Sequence, residues 1–274
     1  MGRFLSLPKE LWDNRALIFK LSKNDFKTKY AGSYLGIIWA FIQPVVTIVL
    51  YWIVFEKGLN ASSGVLGKRG GEVPFVIWLS CGLIPWFFFS EALNNATGAM
   101  MEYSYLVKKV VFKISVLPII KIISALFVHI FFVAFLLVVC SIYGYYPTGY
   151  TLQVIYYSVC MFVFVLALSY MTCAVVIFFR DLSQIIAILL QIGMWVTPIM
   201  WPVSKLENHA ALQFIFKCNP MYYVIEGYRG AILYGKGFWD EPYQTLYFWV
   251  LTAIVFVLGA VVFKRLKPHF ADVL

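Results

Sequence analysis

The chain has 274 residues, of which 62% are hydrophobic and only 13% are charged. Soluble globular domains carry about 25% charged residues, and a fold of this size could not hide so much apolar surface. The composition therefore excludes an ordinary soluble domain and predicts an integral membrane protein. The net charge of +9 does not indicate nucleic-acid binding, because the basic residues cluster in short segments between apolar runs, as membrane topology requires.

Residues 1–32 predict an amphipathic helix that lies in the cytoplasmic membrane interface. Apolar residues recur there at near-helical spacing, with Lys and Asp between them: Leu11, Trp12, Leu17, Ile18, Leu21 and Phe26. This pattern is typical of interfacial helices. The segment is too long and too acidic for a cleavable signal peptide.

Residues 33–274 predict a transmembrane domain with six spans. A helix needs roughly 20 residues to cross about 30 Å of hydrocarbon. Apolar runs of about this length lie at residues 33–55, 73–101, 116–143, 152–179, 182–201 and 243–263. With the N-terminus inside, fifteen of the 22 Lys and Arg residues fall on the cytoplasmic side. This bias predicts that both termini are cytoplasmic.

Two connecting segments differ from plain loops. Residues 102–115 are too charged to span but carry a short apolar face, which suits either a surface helix for a cytoplasmic partner or a basic topology loop. Residues 202–241 contain two apolar pieces too short to cross, and Glu226 and Arg229 lie inside the second. We expect two re-entrant helices here, and hence a cavity, because such backbone is tolerated only where protein or water covers it.

Motifs for enzymatic chemistry are missing from the sequence. The segment from Gly64 to Lys68 has the wrong spacing for a phosphate-binding loop and lacks the following Ser or Thr. We therefore expect no catalytic site, no metal site and no cofactor in this chain. Glu91 and His129 are candidate intramembrane polar groups, but as few and unpaired residues they argue against a proton-coupled carrier.

Aromatic residues make up 19% of the chain. Interfacial belts explain part of this content, but Trp39, Phe41, Phe88 and Trp195 lie inside predicted spans. They favour a bulky amphipathic substrate over a bare ion. The alternative is that they face lipid or pack against other helices.

Several segments along the whole chain carry a resemblance to a known family. They are Tyr34-Leu-Gly-Ile-Ile-Trp39 with Gln43-Pro44, Gly82-Leu-Ile-Pro85-Trp86 with Phe89-Ser90, Leu106-Val-Lys108-Lys109, Arg180-Asp181-Leu182, Thr197-Pro198-Ile199, Asn219-Pro220-Met-Tyr222 and Gly227-Tyr-Arg229. With the six spans, they resemble the permease subunits of type-2 ABC exporters, in the branch for wall teichoic acid, O-antigen and capsule. Relatives commonly continue the cytoplasmic loop with an aromatic residue, Pro and Arg, whereas this chain has Phe112-Lys113-Ile114.

The resemblance implies ATP-driven export of a cell-envelope polymer on undecaprenyl diphosphate, which is a teichoic acid, O-antigen or capsular polysaccharide. The polymer would cross the bacterial plasma (inner) membrane from the cytoplasmic to the outer face. Two copies of this chain would form the channel among the membrane lipids. Two copies of a separate cytoplasmic ABC ATPase would bind ATP and Mg²⁺, and nucleic acid would play no part.

The resemblance also implies roles for individual residues. The aromatic lining of the substrate path would be Tyr34, Trp39, Phe41, Phe88, Trp195 and Trp201. The entrance gate for the diphosphate head group, which cations attract, would be Arg15, Lys20, Lys23, Lys27 and Arg180. The surface that couples to the ATPase would be Glu102, Tyr105, Leu106, Lys108, Lys109 and Lys113. The outer gate would be Asn219, Tyr222, Glu226 and Arg229.

Two other functions fit the sequence less well. A type-2 exporter for a small lipophilic compound, such as a drug, would share this architecture with a narrower and less aromatic path. A membrane-embedded enzyme of envelope assembly would need clustered polar residues at one membrane face, and the sequence has no such cluster.

Overall fold

The computed structural model describes residues 12–107, 113–203 and 210–273. In chain order the helices of these ranges are α1 (Arg15–Lys29), α2 (Trp39–Trp52), α3 (Phe75–Glu102), α4 (Ser104–Val107), α5 (Leu117–Ile142), α6 (Gln153–Val175), α7 (Leu182–Val196), α8 (Ala210–Lys217), α9 (Pro220–Arg229), α10 (Pro242–Leu266) and α11 (Phe270–Val273). The sole β-type pairing in the described ranges is an isolated bridge between Leu66 and Glu72. The predicted all-α fold class is confirmed.

Four long helices form the core. α3 packs against both α5 and α6, and α10 packs along α6. Most of α3 is buried, and its small residues Ala92, Ala96 and Ala99 are fully inaccessible. Small residues at helix interfaces allow the backbones to approach closely, which is how apolar helices gain packing energy in lipid.

α2 lies at the edge of this core. A short 3₁₀ turn leads into it and a π-helical turn follows it, so residues 36–58 form one continuous apolar helix. α2 packs mainly against α3, and apolar side chains such as Ile38, Val46 and Leu50 are exposed. This outward surface suits lipid or another apolar protein surface.

α1 packs along α5. Ile18, Ser22 and Asp25 form its buried side, and the rings of Phe19 and Phe26 meet the ring of Phe127 edge-on, with centroids 5.9 and 5.8 Å apart. The helix falls within the predicted range 1–32. Its position in the membrane interface stays a prediction.

Five helical segments of the described chain are long and apolar enough to cross a bilayer. They are residues 36–58, 75–102, 114–142, 149–175 and 242–269, and each coincides with a predicted span. The predicted span 182–201 is shorter than expected, because α7 ends at Val196. Thr197 is extended with ψ 133°, as the residue before a proline usually is. The 15 residues of α7 cover about 22 Å at 1.5 Å per residue, less than the hydrocarbon thickness.

Two short helices, α8 and α9, occupy the segment for which re-entrant helices are predicted. Asn219 starts α9 because its side chain accepts a 3.0 Å hydrogen bond from the Met221 amide, and Pro220 fits the first helical position. A π-helical turn extends α9 to Tyr234, and Gly235 ends it with φ 69°. α9 packs on α3 and α6. Its entry into the bilayer stays a prediction.

Candidate functional site

Ionised side chains join α1 to the end of α3 and the beginning of α5. Lys121 of α5 donates hydrogen bonds of 2.6 Å to carboxylate oxygens of Asp25 and Glu102. Lys121 and Asp25 are only 6% and 4% exposed, respectively. A buried charge is tolerated when an opposite charge and hydrogen bonds compensate for lost hydration. Lys121 and Asp25 therefore hold α1 against α5 as a compensated pair.

Tyr103, the residue directly after α3, completes this group. Its hydroxyl donates a 2.6 Å hydrogen bond to Asp25 Oδ1, and the Lys121 ammonium lies 4.9 Å from its ring centroid. Burial, followed by the hydrogen bond to Asp25, raises the pKa of Tyr103 well above its usual value. The hydroxyl therefore remains a donor. We call Asp25, Glu102, Tyr103 and Lys121 the Lys121 cluster.

The Lys121 cluster brings α1 into contact with the predicted coupling segment. Glu102 belongs both to the Lys121 cluster and to the predicted coupling segment. Helix α4 of that segment begins directly after Tyr103. Of the other predicted coupling residues, Tyr105 and Lys113 are exposed and Leu106 is partly buried. Lys108 and Lys109 lie outside the described residues.

A second ion pair ties the end of α1 to α3. Lys29 pairs with Glu91, 62 positions further along the chain. The prediction that Glu91 is unpaired is wrong, because a helix distant in sequence supplies its partner. Burial by itself lowers the pKa of Lys29, but the charge and hydrogen bond of Glu91 outweigh it and raise the pKa above 10.5.

The predicted entrance-gate residues are exposed on the surface. On α1 these are Arg15, Lys20, Lys23 and Lys27, and the fifth, Arg180, lies in the turn between α6 and α7. The basic side chains of α1 thus point away from its buried face. Their role toward an anionic head group stays a prediction.

Three of the six predicted path aromatics are exposed near α2 and α7. Tyr34 and Trp39 stand at the start of the first span, and Trp195 lies in the last turn of α7. A fourth, Trp201, is partly buried, and its indole donates a 3.3 Å hydrogen bond to the Trp195 carbonyl.

The two remaining path aromatics pack inside the protein. Phe41 is partly buried against Phe131, with ring centroids 4.4 Å apart. Phe88 is 2% exposed and lies 4.8 Å from the His129 ring centroid. The structure therefore does not bring all six predicted aromatics to one surface.

Arg229 organises the end of α3 that lies opposite the Lys121 cluster. It is fully buried, and its guanidinium carbon stands 3.5 Å from the ring centroid of Trp78. It donates hydrogen bonds of 2.9 and 2.8 Å to the carbonyls of Pro198 and Ile199, and one of 2.6 Å to Glu226. A planar guanidinium suits this combination of stacking and several directed bonds. Arg229 thereby fastens the segment after α7 to α3 and α9.

The other two predicted outer-gate residues lie beside this arrangement. The Asn219 amide donates a 2.7 Å hydrogen bond to the Thr197 hydroxyl, which is a second tie between α9 and the end of α7. Tyr222 lines a cavity next to Glu226.

Sequence reasoning did not identify Asp25, Tyr103, Lys121 and Trp78 as parts of these arrangements. One signal was available for Lys121, because a cation within the apolar run 116–143 requires a partner. Its partner Asp25 lies 96 positions away, so the pairing becomes visible only when α1 packs on α5.

A model of the ABC-2 type transporter family matches residues 16–233, which is most of the chain. The chain belongs to the ABC-2 type transporter family. The match runs from α1 through α9 and into the turn that follows it. The family resemblance predicted from the sequence segments is confirmed.

Relatives of this ABC-2 chain are known from several bacteria. It is 27% identical to the O-antigen export system permease protein RfbA of Myxococcus xanthus, over 98% of this chain and 99% of the relative. It is 23% identical to RfbA of Klebsiella pneumoniae, over 94% and 95% of the two chains. It is 20% identical to the polysialic acid transport protein KpsM of Escherichia coli, over 88% and 89%.

Membership of the ABC-2 type transporter family defines the role of the chain within a transporter. The chain is a bacterial membrane protein and the membrane subunit of an ABC transporter, and ATP hydrolysis belongs to a separate subunit. The prediction that this chain is not itself the ATP-hydrolysing enzyme is confirmed by that membership.

Proposed function

We propose that this chain is the channel-forming subunit of an exporter that moves a cell-envelope polysaccharide across the bacterial plasma membrane. The observation that supports this most directly is the extent of its similarity to the O-antigen permease of Myxococcus xanthus, which covers 98% of the chain. The similarity includes α1 and both connecting segments as well as the span pattern. The relatives' names favour a polymer over the small lipophilic compound considered from the sequence.

The polymer travels on a lipid diphosphate carrier, undecaprenyl diphosphate. The exposed basic side of α1 supports this proposal. Its side chains Arg15, Lys20, Lys23 and Lys27 are all exposed, and clustered cations at a membrane surface attract anionic head groups. α1 therefore forms the entrance gate for the head group.

Two copies of the chain enclose the channel. The exposed apolar sides of α2 and α7 support this arrangement, because both helices contact the core mainly through α3. Trp39 and Trp195 project from these sides with 47% and 55% of their surface exposed. Two such sides facing each other would offer aromatic rings to a passing sugar chain.

The segment 102–115 seats two copies of a cytoplasmic ABC ATPase, which bind ATP and Mg²⁺. Movement of this segment reaches α1 through the Lys121 cluster, since Glu102 and Tyr103 stand at its beginning and contact Lys121 and Asp25. α7 with the residues after it makes the sixth crossing, α8 and α9 re-enter the outer leaflet, and both chain ends are cytoplasmic. The excess of Lys and Arg on that side supports this orientation.

The proposal is tested by reconstituting the chain with its ATPase subunit in vesicles that contain a fluorescent, undecaprenyl-diphosphate-linked glycan. ATP with Mg²⁺ should change the fraction of glycan that an impermeant quencher reaches. An ATPase subunit without its catalytic glutamate is the control and should abolish the change. Movement of a fluorescent lipophilic drug without movement of the glycan would support the small-compound alternative instead.

A further inference from the structure

A cavity of about 390 Å³ lies at the end of α3 opposite the Lys121 cluster. The loop before α3, the first turn of α3, α9 and the segment before α10 form its walls. A recess of about 80 Å³ adjoins it. The two share the side chains of Tyr222, Glu226, Tyr234, Lys236 and Glu241. We call these joined spaces the α9 cavity, whose main volume is within the range of about 300–1,000 Å³ for small-molecule sites.

Buried contacts hold two polar groups of the α9 cavity in place. The Trp78 indole donates a 2.9 Å hydrogen bond to the Tyr234 hydroxyl, which leaves that hydroxyl its own proton to donate. Behind them the buried Arg229 stacks on Trp78 and bonds to one oxygen of Glu226. Tyr234 and Glu226 are therefore positioned before any ligand arrives, which lowers the entropic cost of binding.

The recess contains a polar atom that lacks a protein partner. The side-chain oxygen of Gln244 is buried and has no hydrogen bond within the described part of the chain, and Gln244 lines the recess together with Tyr222 and Tyr223. A buried unsatisfied carbonyl costs free energy, and a hydroxyl donor that enters the recess recovers it. A ligand with several hydroxyl groups meets this requirement.

The rim of the α9 cavity carries opposite charges and further aromatic rings. Lys236 and Glu241 are exposed at its mouth. Beyond Tyr234, an open groove of about 480 Å³ is lined by Tyr150 and Trp239, whose rings contact each other with centroids 6.1 Å apart. The groove and the α9 cavity together form a binding surface longer than one small ligand. A chain of linked sugar units can therefore lie along it.

This set of groups selects one ligand chemistry. Carboxylates among the lining groups disfavour a phosphate, the ammonium of Lys236 disfavours a bare metal ion, and an acyl chain would leave several charges without water. A sugar suits every group in the cavity lining. Its hydroxyls can bond to the carboxylates, to the Gln244 amide and to the Lys236 ammonium. The polarised C–H face of a sugar ring can lie on an aromatic ring, much as a cation does.

We infer that the α9 cavity is a glycan-binding site, which holds a sugar unit of the exported polymer on the outer face of the membrane. The inference rests on the proposed function for the origin of the glycan and for the orientation of the chain. It adds a binding site within each protomer, separate from the channel between protomers.

Binding is measured on the complex of this chain with its ATPase subunit in lipid nanodiscs, without ATP. The probe is the set of oligosaccharides that mild acid releases from the surface polysaccharide of the source bacterium, observed by saturation-transfer NMR. Lys236→Ala, Glu241→Gln and Gln244→Met should each weaken binding about tenfold, as expected for a lost hydrogen bond to a charged or buried partner. Lys217→Ala and Tyr243→Phe, at exposed positions outside the cavity lining, should leave affinity unchanged.

Folding is checked by thermal unfolding. None of these variants should lower the melting temperature, because Lys236 and Glu241 are exposed and the Gln244 oxygen has no partner to lose. Wild-type complex that binds no oligosaccharide, or cavity variants that bind like the wild type, would overturn the inference. Failure of the proposed function appears in a different assay, as absence of ATP-dependent glycan movement in vesicles.

Discussion

The ammonium of Lys121 lies 2.6 Å from the Asp25 carboxylate although α5 and α1 bring these residues from 96 positions apart. Both side chains are almost fully buried, so neither charge has water as an alternative partner. The pair also contacts Glu102 and Tyr103 at the beginning of the predicted coupling segment. It thus connects α1, the end of α3 and α5.

Lys121→Met should strongly destabilise the protein, because it leaves the Asp25 carboxylate buried without a cation. Breaking a buried pair in this way costs about 3–5 kcal/mol. The double variant Asp25→Leu with Lys121→Met should recover part of the loss, since apolar groups replace both charges. Thermal unfolding in detergent measures the effect, with exposed Lys23→Met as control. Equal melting temperatures for all variants would show that the pair contributes nothing.

The Lys29–Glu91 pair should make the attachment of α1 to α3 sensitive to alkaline pH. Because the pair raises the pKa of Lys29 above 10.5, its contribution is fully present below pH 10.5 and is lost as pH rises through the higher pKa of the folded state. Solvent screening limits this contribution to at most about 1 kcal/mol, since both side chains are partly exposed.

The measurement is the melting temperature of wild type and Glu91→Gln across this pH range. The wild type should be the more stable below pH 10.5 and should approach the variant above it. A difference between the two proteins that does not change with pH would contradict the assignment.

Gly259→Ala should destabilise the packing of α10 on α6. A Cβ atom at Gly259 would lie 2.6 Å from the backbone carbonyl oxygen of Ala167, so the two helices would have to separate. Overpacking of this kind costs about 1–3 kcal/mol. Gly98→Ala in α3 is the matched control, because its Cβ would meet nothing within 4 Å. Alanine there should stabilise the helix by about 0.5–1 kcal/mol, so the two variants should shift the melting temperature in opposite directions.

The long helices can be predicted from the sequence. In lipid, an apolar run of this length has to form its backbone hydrogen bonds within itself, and a helix does so. Five predicted spans accordingly coincide with long helices. Thr197-Pro198 is a local signal for the end of α7 at Val196. Hydropathy alone predicts a longer span, which ends at residue 201. Periodicity alone marked α1 as amphipathic, but no local pattern connects Asp25 to Lys121.

Burial of the site residues was harder to predict than the helices. The resemblance places Arg229 at an outer gate but does not indicate its burial. Arg229 is fully buried on Trp78 and bonded to two carbonyls of the segment after α7. That arrangement forms only where three elements meet. No local pattern in a single sequence shows which helix surfaces will contact each other.

Trp195→Ala should slow glycan export in reconstituted vesicles while leaving the melting temperature nearly unchanged. The indole is 55% exposed, so its truncation removes little packing, whereas a ring that lines the path of a sugar chain acts only during transport. Trp86→Ala provides the contrast: Trp86 is 4% exposed, and loss of a buried Trp costs about 3–5 kcal/mol. Leu246→Ala, at an exposed apolar position of α10, controls for loss of lipid-facing surface and should affect neither measurement. If Trp195→Ala and Leu246→Ala transport glycan equally well, the exposed Trp195 ring faces lipid and not the polymer.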